Sequence, residues 1–146
     1  MKVSDIRTAT KFRQTALLID DQPTLLEIHA AVLESLNMNL NIVKMTDPGA
    51  SLNWIKNKQV DLIITDYRMH NMNGLEFVKA LKNTNPSLQK NIIVVTALTD
   101  RKIHNELLKA GAVACLIKPA QSKALAEIAL NILTDKKQYF NSWAIG

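Results

Sequence analysis

One cysteine, Cys115, in 146 residues excludes an internal disulfide framework and any zinc site built on a cysteine cluster. Glycine and proline number four each, and no stretch is rich enough in them to form a low-complexity linker. Apolar runs are short. Runs such as 92–95 are far below the roughly 18 residues a membrane span requires. The opening MKVSDIRTATKFRQ lacks the apolar segment of a secretory signal. What is present, 47% hydrophobic and 21% charged residues, describes one globular domain with a real core. The expectation is a cytoplasmic protein without a membrane segment.

The net charge of +5 is unevenly spread. Residues 1–14 carry Lys2, Arg7, Lys11 and Arg13 against Asp5, a net of +3. Residues 134–146 carry Lys136 and Lys137 against Asp135, a net of +1, which leaves +1 for everything between. The basic excess is a flanking arm around a nearly neutral body. Such an arm could touch nucleic acid or acidic membrane, but so few charges are more commonly a solvated tail. Direct nucleic-acid binding is therefore not expected.

No internal repeat is visible. Short apolar, β-branched runs at 16–19, 40–45, 60–65, 91–96 and 113–117 alternate with segments of helical period. Most runs are continuous, as in parallel strands covered on both faces. The helical segments begin at Pro23, Pro48, Gly74, Asp100 and Ser122. Leu25, Ile28, Val32 and Leu36 form the expected inner stripe of the first. Asn85-Pro86 should stop the third, and Asp100 and Gly111 should cap the fourth. Strict alternation of five strands with five helices predicts a doubly wound α/β fold with a five-stranded parallel sheet. Right-handed crossovers then gather every strand's carboxyl end at one edge, where such sheets bind ligands.

The residues at those ends form a chemical set. The first strand runs into Asp20-Asp21 and the third into Asp66, which would put three carboxylates in one pocket. Unneutralised carboxylates that close repel, and Mg²⁺ suits one to three of them plus waters. As mere turn residues before Pro23, Asp20 and Asp21 would leave the matching acid at the other strand unexplained. The fourth strand ends in Thr96 and the fifth in Lys118. Each alone is unremarkable in a surface helix-proximal or snorkelling role. Together with a cation they could hold the oxygens of a transferring phosphoryl group, with Asp66 as the attacking carboxylate.

Asp20-Asp21, Asp66 followed by Met69 and Met72-Asn73-Gly74, Thr96-Ala97 and Lys118-Pro119 resemble the receiver domain of two-component response regulators, of the single-domain chemotaxis-regulator kind. The resemblance covers residues 15–133. It implies a flavodoxin-like strand order 2-1-3-4-5 and phosphorylation of Asp66 by a histidine kinase or phosphotransfer protein. It also implies Mg²⁺ held directly by Asp21, through water by Asp20, and by Asp66 and the main-chain carbonyl of Arg68. Thr96 would be the switching hydroxyl and Lys118 the phosphate-pairing cation. The implied output is altered binding of a downstream protein at the face of the fourth helix, fifth strand and fifth helix. Beyond self-phosphorylation, at most a weak autophosphatase activity is implied.

Four positions depart from the family pattern. His70 stands where Pro usually follows the Met and loosens that loop; as a metal ligand it would be unusual for Mg²⁺. Asn73 replaces Asp before Gly74, which suits the turn equally. Arg68, with Leu98, occupies the positions that tune water access to the acyl phosphate, and slow self-dephosphorylation is expected. Cys115 stands where receivers carry Tyr or Phe, so a smaller readout than a swinging ring is expected. Residues 1–14 read as a basic arm and residues 134–146, with Tyr139, Phe140 and Trp143, as a tail that either closes the core or forms a homodimer or docking surface. Two rivals remain: a chemically silent receiver-like scaffold, and an aspartyl phosphohydrolase. The latter needs a second acid two residues after the first, where Gln22 stands.

Overall fold

A computed structural model describes residues 13–86, 91–118 and 122–134. In chain order the elements are β1 (Gln14–Ile19), α1 (Pro23–Glu34), β2 (Leu40–Met45), α2 (Pro48–Ile55), β3 (Leu62–Asp66), β4 (Arg68–Met69) and β5 (Met72–Asn73). There follow α3 (Gly74–Thr84), β6 (Ile92–Thr96), α4 (Arg101–Ala110), β7 (Ala114–Ile117) and α5 (Ser122–Thr134). Five strands pair in parallel in the order β2-β1-β3-β6-β7, the 2-1-3-4-5 arrangement expected. The basic arm, but for Arg13 and Gln14, and the aromatic tail, but for Thr134, lie outside the described residues. Gln14 opens β1, and its Nε2 donates to the Leu133 carbonyl at 2.9 Å, tying the start of the sheet to the end of α5.

The side-chain period of two in the strands divides the core. Ala16, Leu18, Leu62, Ile64, Ile93 and Val95 face one side, where α1 and α5 cover them with Leu26, Ala30, Leu33, Leu125, Ala129 and Leu133. Leu17, Ile19, Ile63, Ile92 and Val94 face the other, under Ile55 of α2, Phe77, Val78 and Leu81 of α3, and Leu107 of α4. Burial on both faces holds for the central strands β1, β3 and β6; the edge strands β2 and β7 are only half-buried. No helix among the described residues is long and apolar enough to cross a membrane.

Local chemistry sets the helix ends. Asp47 accepts from Ala50 N–H at 2.7 Å ahead of Pro48, and Asp100 accepts from Lys102 N–H at 2.8 Å. Asn73 and Glu76 close a reciprocal capping box, each bond 2.9 Å. Gly111 ends α4 with φ 127°, a backbone state that glycine enters without penalty.

Two sequence readings need correction. The inner face of α1 is Leu26, His29, Ala30 and Leu33, with Val32 beside it, whereas Ile28 is 49% exposed. Apolar pairs at 25–26 and 32–33 satisfy a 3.6-residue period in two phases. The sheet selects the phase that brings the small Ala30 against it. The second correction is a hairpin between β3 and α3. β4 and β5 pair antiparallel across His70-Asn71, with Asn71 at φ 68°. Asn is among the few non-glycine residues that tolerate that state. Strands of two residues carry no readable period.

The phase of α1 is testable by urea unfolding. Leu33→Ala should cost about 2–5 kcal/mol, as for a buried leucine, and Ile28→Ala no more than about 0.5 kcal/mol. Equal losses would place α1 in the other phase.

Candidate functional site

Because all five strands are parallel, their carboxyl ends share one edge, and the polar residues of the chain's centre collect there. Asp20 and Asp21 follow β1, Asp66 ends β3, Thr96 ends β6 and Lys118 follows β7. Asp20, Asp21 and Asp66 each offer a carboxylate oxygen within 4.8 Å of the others. Asp20, Asp66 and Thr96 are buried and Asp21 is half-buried. Lys118 reaches in from the next strand but one: its Nζ lies 2.9 Å from Asp66 Oδ1 and 3.7 Å from Asp20 Oδ2. Lys118 N–H donates to the Thr96 carbonyl at 2.7 Å, which continues the β6–β7 ladder and aims the lysine along the edge.

One ammonium does not neutralise three carboxylates. Asp66 Oδ1 is held by Lys118 and by Tyr67 N–H at 2.8 Å. Asp20 Oδ1 accepts from Gln22 N–H at 2.9 Å, but Asp20 Oδ2 is buried with no hydrogen-bond partner among the described residues. Burial pushes the Asp20 carboxyl above the ordinary range; Gln22 N–H and Lys118 pull against this, and Asp66 and Asp21 add to it. An orphaned, buried carboxylate oxygen beside two further carboxylates fits a hard divalent cation, which takes oxygen ligands and offsets the repulsion. Asp20, Asp21 and Asp66 are the side chains that would hold it.

Thr96 stands at the end of the strand next to Asp66, but its hydroxyl is engaged locally, accepting from Leu98 N–H at 3.1 Å. From the other side His104 Nε2 donates to the Leu98 carbonyl at 2.8 Å. Arg68 opens β4 with its side chain exposed, two residues beyond Asp66. Gly74 closes the hairpin onto the site: its N–H donates to the Tyr67 carbonyl at 2.6 Å, and a Cβ there would meet Tyr67 Cα at 2.9 Å. Glycine is required at 74 by this approach. Cys115 is half-buried, paired with Val94 and packed on the α2–α3–α4 side of the core, where burial pushes its thiol up.

Sequence reasoning missed two histidine placements. His29, on the inner face of α1, is 6% exposed and lines a cavity of about 300 Å³ that Lys118 also borders. Burial and the nearby ammonium lower its pKa, with Asp66 opposing. Its only sequence signal was its spacing from Leu26 and Leu33. His70, at the hairpin tip, brings Nε2 to 3.7 Å from Asp21 Oδ2; here the hairpin itself had no signal.

A five-stranded parallel sheet in this order, covered by helices on both faces, places the chain among flavodoxin-like α/β proteins. The family is then narrower: residues 16–130 match the response regulator receiver domain, and the chain belongs to that family. It is 31% identical over 122 residues to the cyclic di-GMP phosphodiesterase response regulator RpfG of Xanthomonas campestris, covering 84% of this chain and 32% of RpfG. To the transcriptional regulatory protein ZraR of Salmonella typhimurium it is 31% identical over 113 residues, 76% of this chain and 24% of ZraR. The chain thus spans a third or less of these relatives. Among solved structures, the chemotaxis response regulator CheY4 of Vibrio cholerae superposes with a TM-score of 0.72 at 24% identity, over 83% of this chain and 99% of that one. The Francisella response regulator 1452 receiver domain gives 0.74 at 20%, over 84% and 98%.

The raised carboxyl of Asp20 has a stability consequence. The folded chain holds that proton more tightly than the unfolded one, so metal-free stability falls as pH rises through the shifted value. Asp20→Asn removes this contribution. In urea titrations with chelator, the variant should lose less stability than wild type as pH rises from the ordinary carboxylate range toward neutrality. Added Mg²⁺ should stabilise wild type more than the variant. Parallel pH profiles for the two proteins would show that Asp20 is not strained.

Proposed function

We propose that this receiver domain is the phosphoacceptor of a two-component phosphorelay, with Asp66 as the residue phosphorylated. The observation that carries the reading is the Lys118 ammonium 2.9 Å from Asp66 Oδ1, with the carboxylates of Asp20 and Asp21 gathered beside it. An Asp66 oxygen attacks phosphorus of a phosphohistidine on a histidine kinase or phosphotransfer protein. The N–P bond breaks, the imidazole leaves with its electron pair and takes up a proton, and Asp66 becomes an acyl phosphate. Lys118 pairs with phosphoryl oxygens as negative charge spreads over them. Asp20, Asp21, Asp66 and the Arg68 carbonyl would hold Mg²⁺, which would supply further charge neutralisation.

Thr96 would donate its hydroxyl proton to a phosphoryl oxygen and so draw away from Leu98 N–H, freeing one of the two bonds that hold this loop. The output surface fits the face of α4, β7 and α5. Leu108, Ile117 and Leu130 expose 46%, 47% and 39% of their surface there, one from each element. Exposed large apolar side chains on each of these three elements suit a downstream protein partner. Cys115 behind them is small, so the readout we expect is loop and helix movement and not the swing of a ring. Residues 1–14 and 134–146 are proposed as a basic arm and an aromatic tail around a receiver of residues 15–133. The domain works in the cytoplasm and turns over no external substrate. The phosphodiesterase activity in the name of RpfG is not carried over to this chain.

Incubation with Mg²⁺ and acetyl phosphate, followed by intact mass, tests the chemistry. Wild type should gain one phosphoryl group, releasing acetate, and Asp66→Asn none. Lys118→Ala should slow the gain about a hundredfold, as for loss of one oxyanion donor. Modification of Asp66→Asn would refute the assignment. The phosphorylated protein should persist for minutes or longer, owing to Arg68 and Leu98; decay within seconds would reject that role. Thr96→Ala should still accept phosphoryl but lose the accompanying change in the backbone amide signals of Leu98 and α4.

A further inference from the structure

The hairpin carries His70 at its tip, where the family resemblance places a proline. His70 and Asn71 form a two-residue turn between Arg68–Asn73 and Met69–Met72 pairs. Its base is fixed by the Gly74 N–H to Tyr67 carbonyl bond and by the capping box at Asn73, and Met69 and Met72 pack on the core. The imidazole is thus presented from an anchored frame. Its ring is 80% exposed, and the one polar group it approaches among the described residues is Asp21, Nε2 to Oδ2 at 3.7 Å. That is too long for a hydrogen bond. It matches the roughly 3–4 Å between two ligand atoms sharing one metal ion at bond lengths near 2.1 Å. On the far side of the same carboxylate group, Asp20 Oδ2 is buried and has no hydrogen-bond partner.

We infer that His70 supplies an imidazole nitrogen to the cation held by Asp20, Asp21 and Asp66, and thereby tilts this site from Mg²⁺ toward borderline divalent ions such as Co²⁺. The inference rests on the preceding reading that these carboxylates hold a cation. Mg²⁺ takes oxygen donors and keeps its waters, so an added nitrogen gains it little. Imidazole is a favoured ligand of later first-row ions. Divalent ions differ in affinity at one site through the metal itself as well as through its ligands, so wild-type affinities alone decide nothing; the change on removing the ring does.

The test measures dissociation constants of Mg²⁺ and Co²⁺ by calorimetry for wild type, His70→Gln and His70→Pro, with Asp66→Asn as a control for site occupancy. Because His70 is exposed, neither substitution threatens the core. Co²⁺ affinity should fall about tenfold in both His70 variants, within the range for lost ligand support, while Mg²⁺ affinity changes less than twofold. Pulsed EPR of bound Mn²⁺ should show imidazole nitrogen coupling in wild type that disappears in His70→Gln. Equal Co²⁺-to-Mg²⁺ ratios in wild type and variants, or no nitrogen coupling with Mn²⁺ bound, would overturn the role of His70 and leave the carboxylate site standing. Failure of wild type to bind any of the three ions would overturn both.

Discussion

Three carboxylates meeting one ammonium at the end of a parallel sheet is the constraint around which this domain is organised. Parallel pairing leaves no choice about where strand ends go. Once β1 and β3 are neighbours, Asp20, Asp21 and Asp66 must share space. The apolar layers beneath them, Leu17 to Ile19 and Ile63 to Ile64, lower the local dielectric and sharpen the repulsion. Lys118 relieves part of it through Asp66, and Gln22 N–H part of it through Asp20. The remainder stays at Asp20 Oδ2, which has no hydrogen-bond partner among the described residues. A sequence selected for stability alone would replace one of these acids, so the residual strain points to a site used for binding.

The surroundings keep that strain in place. The two cores clamp the sheet from both faces, and the loops at its carboxyl edge are closed by short, specific contacts. Gly74 lets the hairpin lie against Tyr67 within a distance no side chain would permit. Asn73 and Glu76 start α3 directly behind it. Asp100 starts α4 at the far end of the Thr96 loop. These caps cost little and fix where each loop begins and ends, which in turn limits how far the strand-end residues can move apart.

Most of this was legible in the sequence, for a physical reason. Buried parallel strands are continuous apolar runs, and β2 was found at 40–45 while β6 and β7 were found within one residue. Strand-end chemistry follows from topology, so Asp20, Asp21, Asp66, Thr96 and Lys118 could be placed at one edge before any coordinates. What failed lacked a periodic signal or had two. Leu25-Leu26 and Val32-Leu33 supported both phases of α1, and the position of His29 under Lys118 went unseen with the wrong one. The β4–β5 hairpin is too short for alternation to register, and its tip set the position of His70 relative to Asp21.

On the proposed reading, the two bonds on Leu98 would give a chemical event at this edge its mechanical consequence. Its N–H is held by the Thr96 hydroxyl, which belongs to the site, and its carbonyl by His104, which belongs to α4. A ligand that draws the Thr96 hydroxyl toward Asp66 removes the first bond and leaves the second. The loop is then attached more firmly to the helix than to the strand, and the two can shift together. A neutral hydrogen bond contributes about 0.5–1.5 kcal/mol net, enough to alter the balance between two loop positions several-fold but too little to unfold anything. Leu108 lies one turn beyond His104 on the same helix and faces solvent. On the proposed reading, a small displacement of that turn would change the apolar surface that α4 offers, without an aromatic ring at position 115.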